Sequence, residues 1–274
     1  IALRTLVLSS PQIIIDIYGS NTRDTLPDVI HPDSISEVTT VPPINPGKLS
    51  ISNLVIRDAT VLLRHHIDND IASYELDWLQ TSAKDLSTDS TTANNRSRHW
   101  FDRAELSAQR FRYTAFDGSR VTTVDSIFYR TSRDIFTVGS LLADPQYEMT
   151  EFAYKNRDHV DWTRTSANGI SIHGIDLQAL AREKTLRIDS LAIANAEMES
   201  YKDRNAPQQG NRKVMFHETI QRLPLKADVR TAHLGDITAI YHELPQFETT
   251  AGVIKFTGLT GDLHGLSNIA SEAE

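Results

Sequence analysis

The densest cluster of side chains able to do chemistry is His65-His66 with Asp68 and Asp70, in the run H-H-I-D-N-D. Imidazoles and carboxylates hold zinc or calcium when several converge on one point. Adjacent histidines on a strand point to opposite faces, however, and Asp68-Asn69-Asp70 lacks the glycine and distal glutamate of an EF-hand loop. The spacing favours a solvated hairpin turn over a metal site. Asp158-His159-Val160-Asp161 reads the same way, its polar residues alternating with Val160 and Trp162 as on an edge strand.

Signatures of group transfer are missing. No Walker A, G-x-G-x-x-G, H-E-x-x-H or G-x-S-x-G string occurs, and Gly258, Gly261 and Gly265 sit in strand and turn context with no helix following to complete a phosphate cradle. Serine, histidine and aspartate are all present, but no spacing singles out a triad, so the chain reads as non-enzymatic and without a cofactor. With no cysteine, disulfides, thiolate zinc sites and a thiol nucleophile are excluded. A formal net charge of −8 argues against nucleic acid as a partner, because phosphate backbones call for a basic face. Phe111, Tyr113, Phe116, Phe128 and Tyr129 could form a ligand platform, but aromatics at strand spacing more often fill a core.

What recurs is an apolar spacing. Leu186, Ile188, Leu191, Ile193 and Ala196 fall at the same offsets as Leu49, Ile51, Leu54, Ile56 and Ala59, and Ile1, Leu3, Leu6, Leu8 and Pro11 keep them too. Leu106, Ala108, Phe111, Tyr113 and Phe116 keep the pattern loosely, as Ala227, Val229, Ala232, Leu234 and Ile237 do weakly. Residues two apart share a strand face, whereas the step of three from Ile188 to Leu191 would reverse the facing in a straight strand. A β-bulge near Asp189-Ser190 restores it, and a second bulge or turn is needed between Ile193 and Ala196. Repetition of such bends predicts a curved sheet with one continuous apolar face.

Taken in order, Ile1–Leu8 and Ile13–Tyr18 read as a hairpin turned at Pro11, and 19–47, rich in proline, reads as a loop. Lys48–His66 and Ile71–Leu86 read as strands, and 87–98 as a polar connection. Glu105–Phe116 and Val121–Tyr129 form a hairpin around Asp117-Gly118, followed by short strands at Ile135–Leu142, Tyr147–Tyr154, His159–Thr165 and Ile170–Ile175. Asp176 caps a short helix through Arg182, and Phe216–Leu223 suits another. Leu225–Leu244 and Gly252–Leu266 are the last strands. With 39% hydrophobic residues, the chain supports one elongated β unit over 1–274, and with a first module already complete at Ile1 it reads as a piece of something longer.

The runs I-S-I-H-G-I-D-L (Ile170–Leu177), T-L-R-I-D-S-L-A-I-A-N-A-E-M-E-S-Y-K-D-R-N-A-P (Thr185–Pro207), R-L-P-L-K-A-D-V-R-T-A-H-L-G-D-I-T-A-I-Y-H-E (Arg222–Glu243) and G-V-I-K-F-T-G-L-T-G-D-L (Gly252–Leu263) resemble the bacterial AsmA-like proteins. These are relatives of the translocation-and-assembly protein TamB and of bridge-like lipid-transfer proteins. The likeness also covers Ile1–Tyr18, Lys48–His66 and most of Leu106–Asn268, while Ala227 and Ala232 are small where the module carries larger aliphatics.

The resemblance implies a mainly β fold: a strongly twisted, bulged antiparallel sheet of repeated modules forming an open groove, with one or two short helices. It further implies a periplasmic segment, tethered to a membrane by a part outside this chain, that shields phospholipid or other acyl chains between inner and outer membranes or supports outer-membrane assembly, with envelope proteins as further partners. Leu49, Ile51, Leu54, Ile56, Leu186, Ile188, Leu191 and Ile193 would line that groove. From periodicity alone the same residues suit the core of an ordinary sandwich. A structural or adhesive module binding protein partners by an exposed edge is the alternative function, and an envelope hydrolase would need a cleft gathering a nucleophile, a histidine and a carboxylate.

Overall fold

In the computed structural model, which describes residues 2–19, 49–68, 70–88, 103–156, 160–183, 185–206 and 226–269, eleven strands make one open, bent sheet. They are β1 (Ala2–Ser9), β2 (Gln12–Gly19), β3 (Leu49–Ile67), β4 (Asp70–Thr88), β5 (Arg103–Thr114), β6 (Arg120–Arg130), β7 (Ile135–Pro145), β8 (Trp162–His173), β9 (Thr185–Asp203), β10 (Lys226–Leu244) and β11 (Gly252–Ser267). The strands cross the sheet in chain order, with β1 and β2 end to end along one side of β3 and β11 at the far edge. Pairing is antiparallel from β3 to β9 and between β10 and β11. It is parallel where β1 and β2 meet β3 and where β9 meets β10.

The parallel pairs are the repeated modules laid side by side. Leu3, Leu6 and Leu8 stand beside Ile51, Leu54 and Ile56. Leu186, Ile188, Leu191, Ile193 and Ala196 stand beside Ala227, Val229, Ala232, Leu234 and Ile237. Since a slip of one residue sends a strand's apolar set to the opposite face, two chains with the same irregular spacing have one register that satisfies both.

Each step of three is made by a residue that drops out of the ladder. Between β9 and β10 the register passes from Ile188/Val229 to Ser190/Thr231, omitting Asp189 and Arg230, and from Ile193/Leu234 to Asn195/Asp236, omitting Ala194 and Gly235. The second omission continues across the sheet as a column of Ser126, Gly139, Gly169, Ala194 and Gly235, one from each of β6 to β10. Ser126 and Gly169 have positive φ, 59° and 62°. On the other side of the sheet the kink passes through Asp58 (φ 50°) in β3 and Trp78 (φ 54°) in β4. Kinks aligned this way fold the sheet about an axis that runs across the strands, as matched bulges do in curved sheets.

Two glycines are required by the column itself. A Cβ on Gly235 would lie 2.1 Å from the Ala194 carbonyl oxygen, and one on Gly169 would lie 2.8 Å from Ala194 Cβ at a φ that side chains disfavour. The neighbouring backbones approach too closely for anything larger.

The helices are short: α1 (Phe152–Lys155), α2 (Leu177–Glu183) and a 3-10 turn at Thr131–Arg133. Asp176 caps α2, its Oδ1 accepting the Ala179 N–H at 2.9 Å. Phe152 of α1 is fully buried against Trp162 and Tyr201, with the Arg120 guanidinium 5.3 Å above its ring.

Several elements differ from the sequence reading. Ile13–Tyr18 does not fold back on the opening strand; β1 and β2 form one kinked edge broken at Ser10 (φ 49°), because β3 offers a long partner carrying the same module. Tyr147–Tyr154 is turn and helix, since burying Phe152 wins over strand pairing. Where two strands are expected, at His159–Thr165 and Ile170–Ile175, one continuous strand, β8, runs from Trp162 to His173, because Gly169 kinks the chain without ending it. Ile1, the loop at 20–47, the connection from 89, the residues 157–159 and the Phe216–Leu223 helix lie outside the described residues.

Gly235→Ala is expected to destabilise the protein by about 1–3 kcal/mol through overpacking, whereas Gly261→Ala, where a Cβ meets nothing within 4 Å, should change stability by less than about 0.5 kcal/mol. Urea unfolding of both variants measures the difference. Equal costs would remove the column's steric basis.

Candidate functional site

The bends give the sheet two chemically distinct faces. One ladder of side chains begins at Leu8, Ile56, Thr81, Leu106 and Tyr129 and continues through Phe136, Ile172, Leu191, Ala232 and Leu263, one residue from each successive strand of the sheet. A second begins at Ile13, Val61, Leu76, Phe111 and Val124 and ends on Leu141, Ala167, Ala196, Ile237 and Leu259. Ring contacts between neighbouring strands confirm the shared facing, with Tyr129 and Phe136 centroids 6.3 Å apart and Tyr74 and Tyr113 4.9 Å apart. Nine spacings of about 4.8 Å carry these ladders across about 43 Å.

The floor lies beside the central kink column. Ala59, Ala108, Val138, Ala167 and Ala232 are buried there, while the larger aliphatics around them, Ile56, Ile172, Leu191 and Ile193 among them, are half-buried. Among the described residues no second sheet packs on this face; all eleven strands belong to one. Small residues at the bend let the walls approach. That accounts for Ala232, which is 1% exposed between Leu191 and Leu263.

The opposite face is polar. Arg110 pairs with Asp125 at 2.8 Å, Arg130 with Glu105 at 2.7 Å and Arg164 with Asp144 at 3.0 Å, each bridging neighbouring strands. Asn168 donates to Asn195 at 2.9 Å, and His242 and His233 meet Glu199 and Asp262 at 2.8 and 2.7 Å. The exposed and partly exposed pairs contribute little energy each but fix which face meets water.

Of the eight residues singled out by spacing, Ile51 and Ile188 are buried at 4% and 6% exposure. Leu54, Ile56, Leu186, Leu191 and Ile193 are half-buried, and Leu49 opens β3 opposite Thr88. Ile56 and Leu191 share a ladder but stand six strands apart, about 29 Å, so the candidates mark two stretches of one surface and do not converge on a point. The eight leave out the middle of that surface, β5 to β8, where Leu106 of the loosely spaced copy, Tyr129, Phe136, Ile170 and Ile172 supply the ladders. Strict alternation within short strands was the available signal.

The histidine–aspartate run does not assemble a metal site. His66 reaches back to Asp16 at 2.8 Å and stacks on Tyr18, while His65, on the other face, sits edge-on to Phe116. Burial, with His66 adding to it, holds the His65 imidazole below its usual pKa. Among the described residues no group of three or more histidines, aspartates or glutamates is placed to hold a metal ion. Nor is any described helix long and apolar enough to cross a membrane.

Comparison with family descriptions, curated proteins and solved structures finds no match to this chain.

Hydroxyls mark one end of the apolar surface. Tyr241 donates to Glu243, and burial together with that bond pushes its pKa up to about 12. A folded-state value above the unfolded one, about 10, means stability that is complete below pH 10 and lost as pH rises toward 12. Tyr241→Phe should flatten the fall in urea midpoint between pH 10 and 12. An unchanged fall would show that the tyrosine does not titrate as its surroundings dictate.

Proposed function

We infer that the bent apolar face is a trough that shelters the acyl chains of phospholipids or similar amphiphiles, in a protein of AsmA-like type acting in the cell envelope. The observation that carries this reading is the apolar ladder unbroken from Ile13 to Leu259, beside one interrupted only by Thr81, against a face of ion pairs on the other. Monomeric soluble proteins seldom leave apolar patches larger than a few hundred Å² uncovered. A surface this long, with no second sheet among the described residues, calls for an apolar partner. An acyl chain fits because the ladders run straight across the strands, giving a channel along which a flexible hydrocarbon can lie. Its length, about 43 Å, is close to the thickness of a whole bilayer, about 40–45 Å.

The chemistry required is exclusion of water, with no bond made or broken. A chain in the trough would replace hydration of Leu106, Phe136, Ile172 and Leu191 by dispersion contacts. At about 25 cal/mol per Å² of apolar area removed from water, even partial coverage holds a lipid, while an open side lets it leave or advance. A periplasmic setting and transfer between two membranes are part of this proposal and follow from the module resemblance.

Native mass spectrometry of gently purified protein should show bound phospholipid that extraction removes. Leu191→Asp, which places a charge on the half-buried ladder, should lower lipid occupancy several-fold while circular dichroism stays that of the parent. Glu197→Lys, on the polar face beside Ser166 and Thr238, should leave occupancy unchanged. Protein that carries no lipid from its source and takes none from phosphatidylethanolamine–phosphatidylglycerol vesicles would end the proposal.

A further inference from the structure

The two edges of the sheet are made to fit each other. Of the large hydrophobic residues left exposed, most lie on β1 and β2 or on β11, Ile13, Ile15, Phe256 and Leu259 among them. Edge strands of such length are usually blunted by charges, prolines or a covering element, because their unpaired N–H and C=O groups recruit another strand. Here Pro11 falls at the break between β1 and β2, and no strand among the described residues pairs with the outer side of either edge.

The ladders show how the ends correspond. Those that begin at Leu8, Ile13 and Ile15 end at Leu263, Leu259 and Phe256. On the polar face, one ladder begins at Asp16 and another ends at Lys255, each one position beyond Ile15 and Phe256. If a second molecule continues the sheet by translation, β11 of one meets β1 and β2 of the next in antiparallel orientation, the sense that β10 and β11 already use. Apolar residue then meets apolar residue on one face, and Lys255 meets Asp16 on the other. The bends are staggered by one ladder, as the successive register shifts between β10 and β11 already are: Ser10 (φ 49°) breaks one edge between the Leu8 and Ile13 ladders, and Gly258 (φ 66°) kinks the other between the Ile13 and Ile15 ladders.

The geometry points to head-to-tail association of copies of this chain, β11 of one pairing with the β1–β2 edge of the next. The contact is heterologous, so it generates open chains or rings and not a closed two-fold dimer. It also joins the apolar faces end to end. It stands independently of what fills the trough.

Sedimentation velocity of the 274-residue chain across a concentration series should show a ladder of integer multiples. Phe256→Asp and Ile15→Asp, each at an exposed edge position, should separately yield monomers. Mixed, they should give a one-to-one dimer and nothing larger, since each supplies one intact edge. Lys255→Glu should weaken association by roughly two- to five-fold, and mixing it with Asp16→Lys should recover most of that loss. A parent protein that stays monomeric at every concentration, or a single-edge variant that still dimerises, would overturn the proposal.

Discussion

Everything in this sheet depends on the requirement that a kink in one strand be matched by its neighbours. A residue that drops out of the ladder leaves its backbone groups without their usual partner, and the adjacent strand must bend at the same place to keep the remaining pairs. The column from Ser126 through Gly235 is that requirement written across five strands. Gly235 cannot carry a side chain because the Ala194 carbonyl occupies the space. The apolar spacing of two and three is the same constraint seen from the side chains. It keeps Ile188, Leu191, Ile193 and Ala196 on one face through two bends.

From this follows the separation of chemistry between faces. Aliphatic and aromatic ladders occupy the face toward which the small residues of the floor are sunk, and arginine–carboxylate pairs occupy the other. Charge is thereby kept away from the surface proposed to shelter hydrocarbon. Where polar groups do enter that surface, they include hydroxyls, the His65 ring, whose charging burial opposes, and, at one end, the Glu243 carboxylate that accepts from Tyr241.

Much of this was legible in the residues. The shared offsets of Leu49 to Ala59 and Leu186 to Ala196 identified strands, bends and facing, and the offsets shared with Leu3 to Leu8 turned out to be spatial register. Asp117-Gly118 and Asp176 marked a turn and a helix start by local hydrogen bonding. What could not be read was pairing between distant segments. A hairpin at Pro11 was the local expectation, yet β3 offers both short strands a parallel partner of identical pattern, and that decision is made tens of residues away. The stretch around Phe152 failed for a similar reason. Its aromatic finds Trp162 and Tyr201, which no window around Tyr147 contains.

Because the strands lie in chain order and each pairs only with those flanking it, the fold is close to one-dimensional. Stability in such an array is approximately a sum of nearest-neighbour terms. Amide exchange should therefore grade from fast at β1, β2 and β11 to slow in the middle, and a lost outer strand need not undo the rest. Cooperativity is bounded by how far one bend can enforce the next, so the sheet can lengthen or shorten by whole strands while its interior stays as it is.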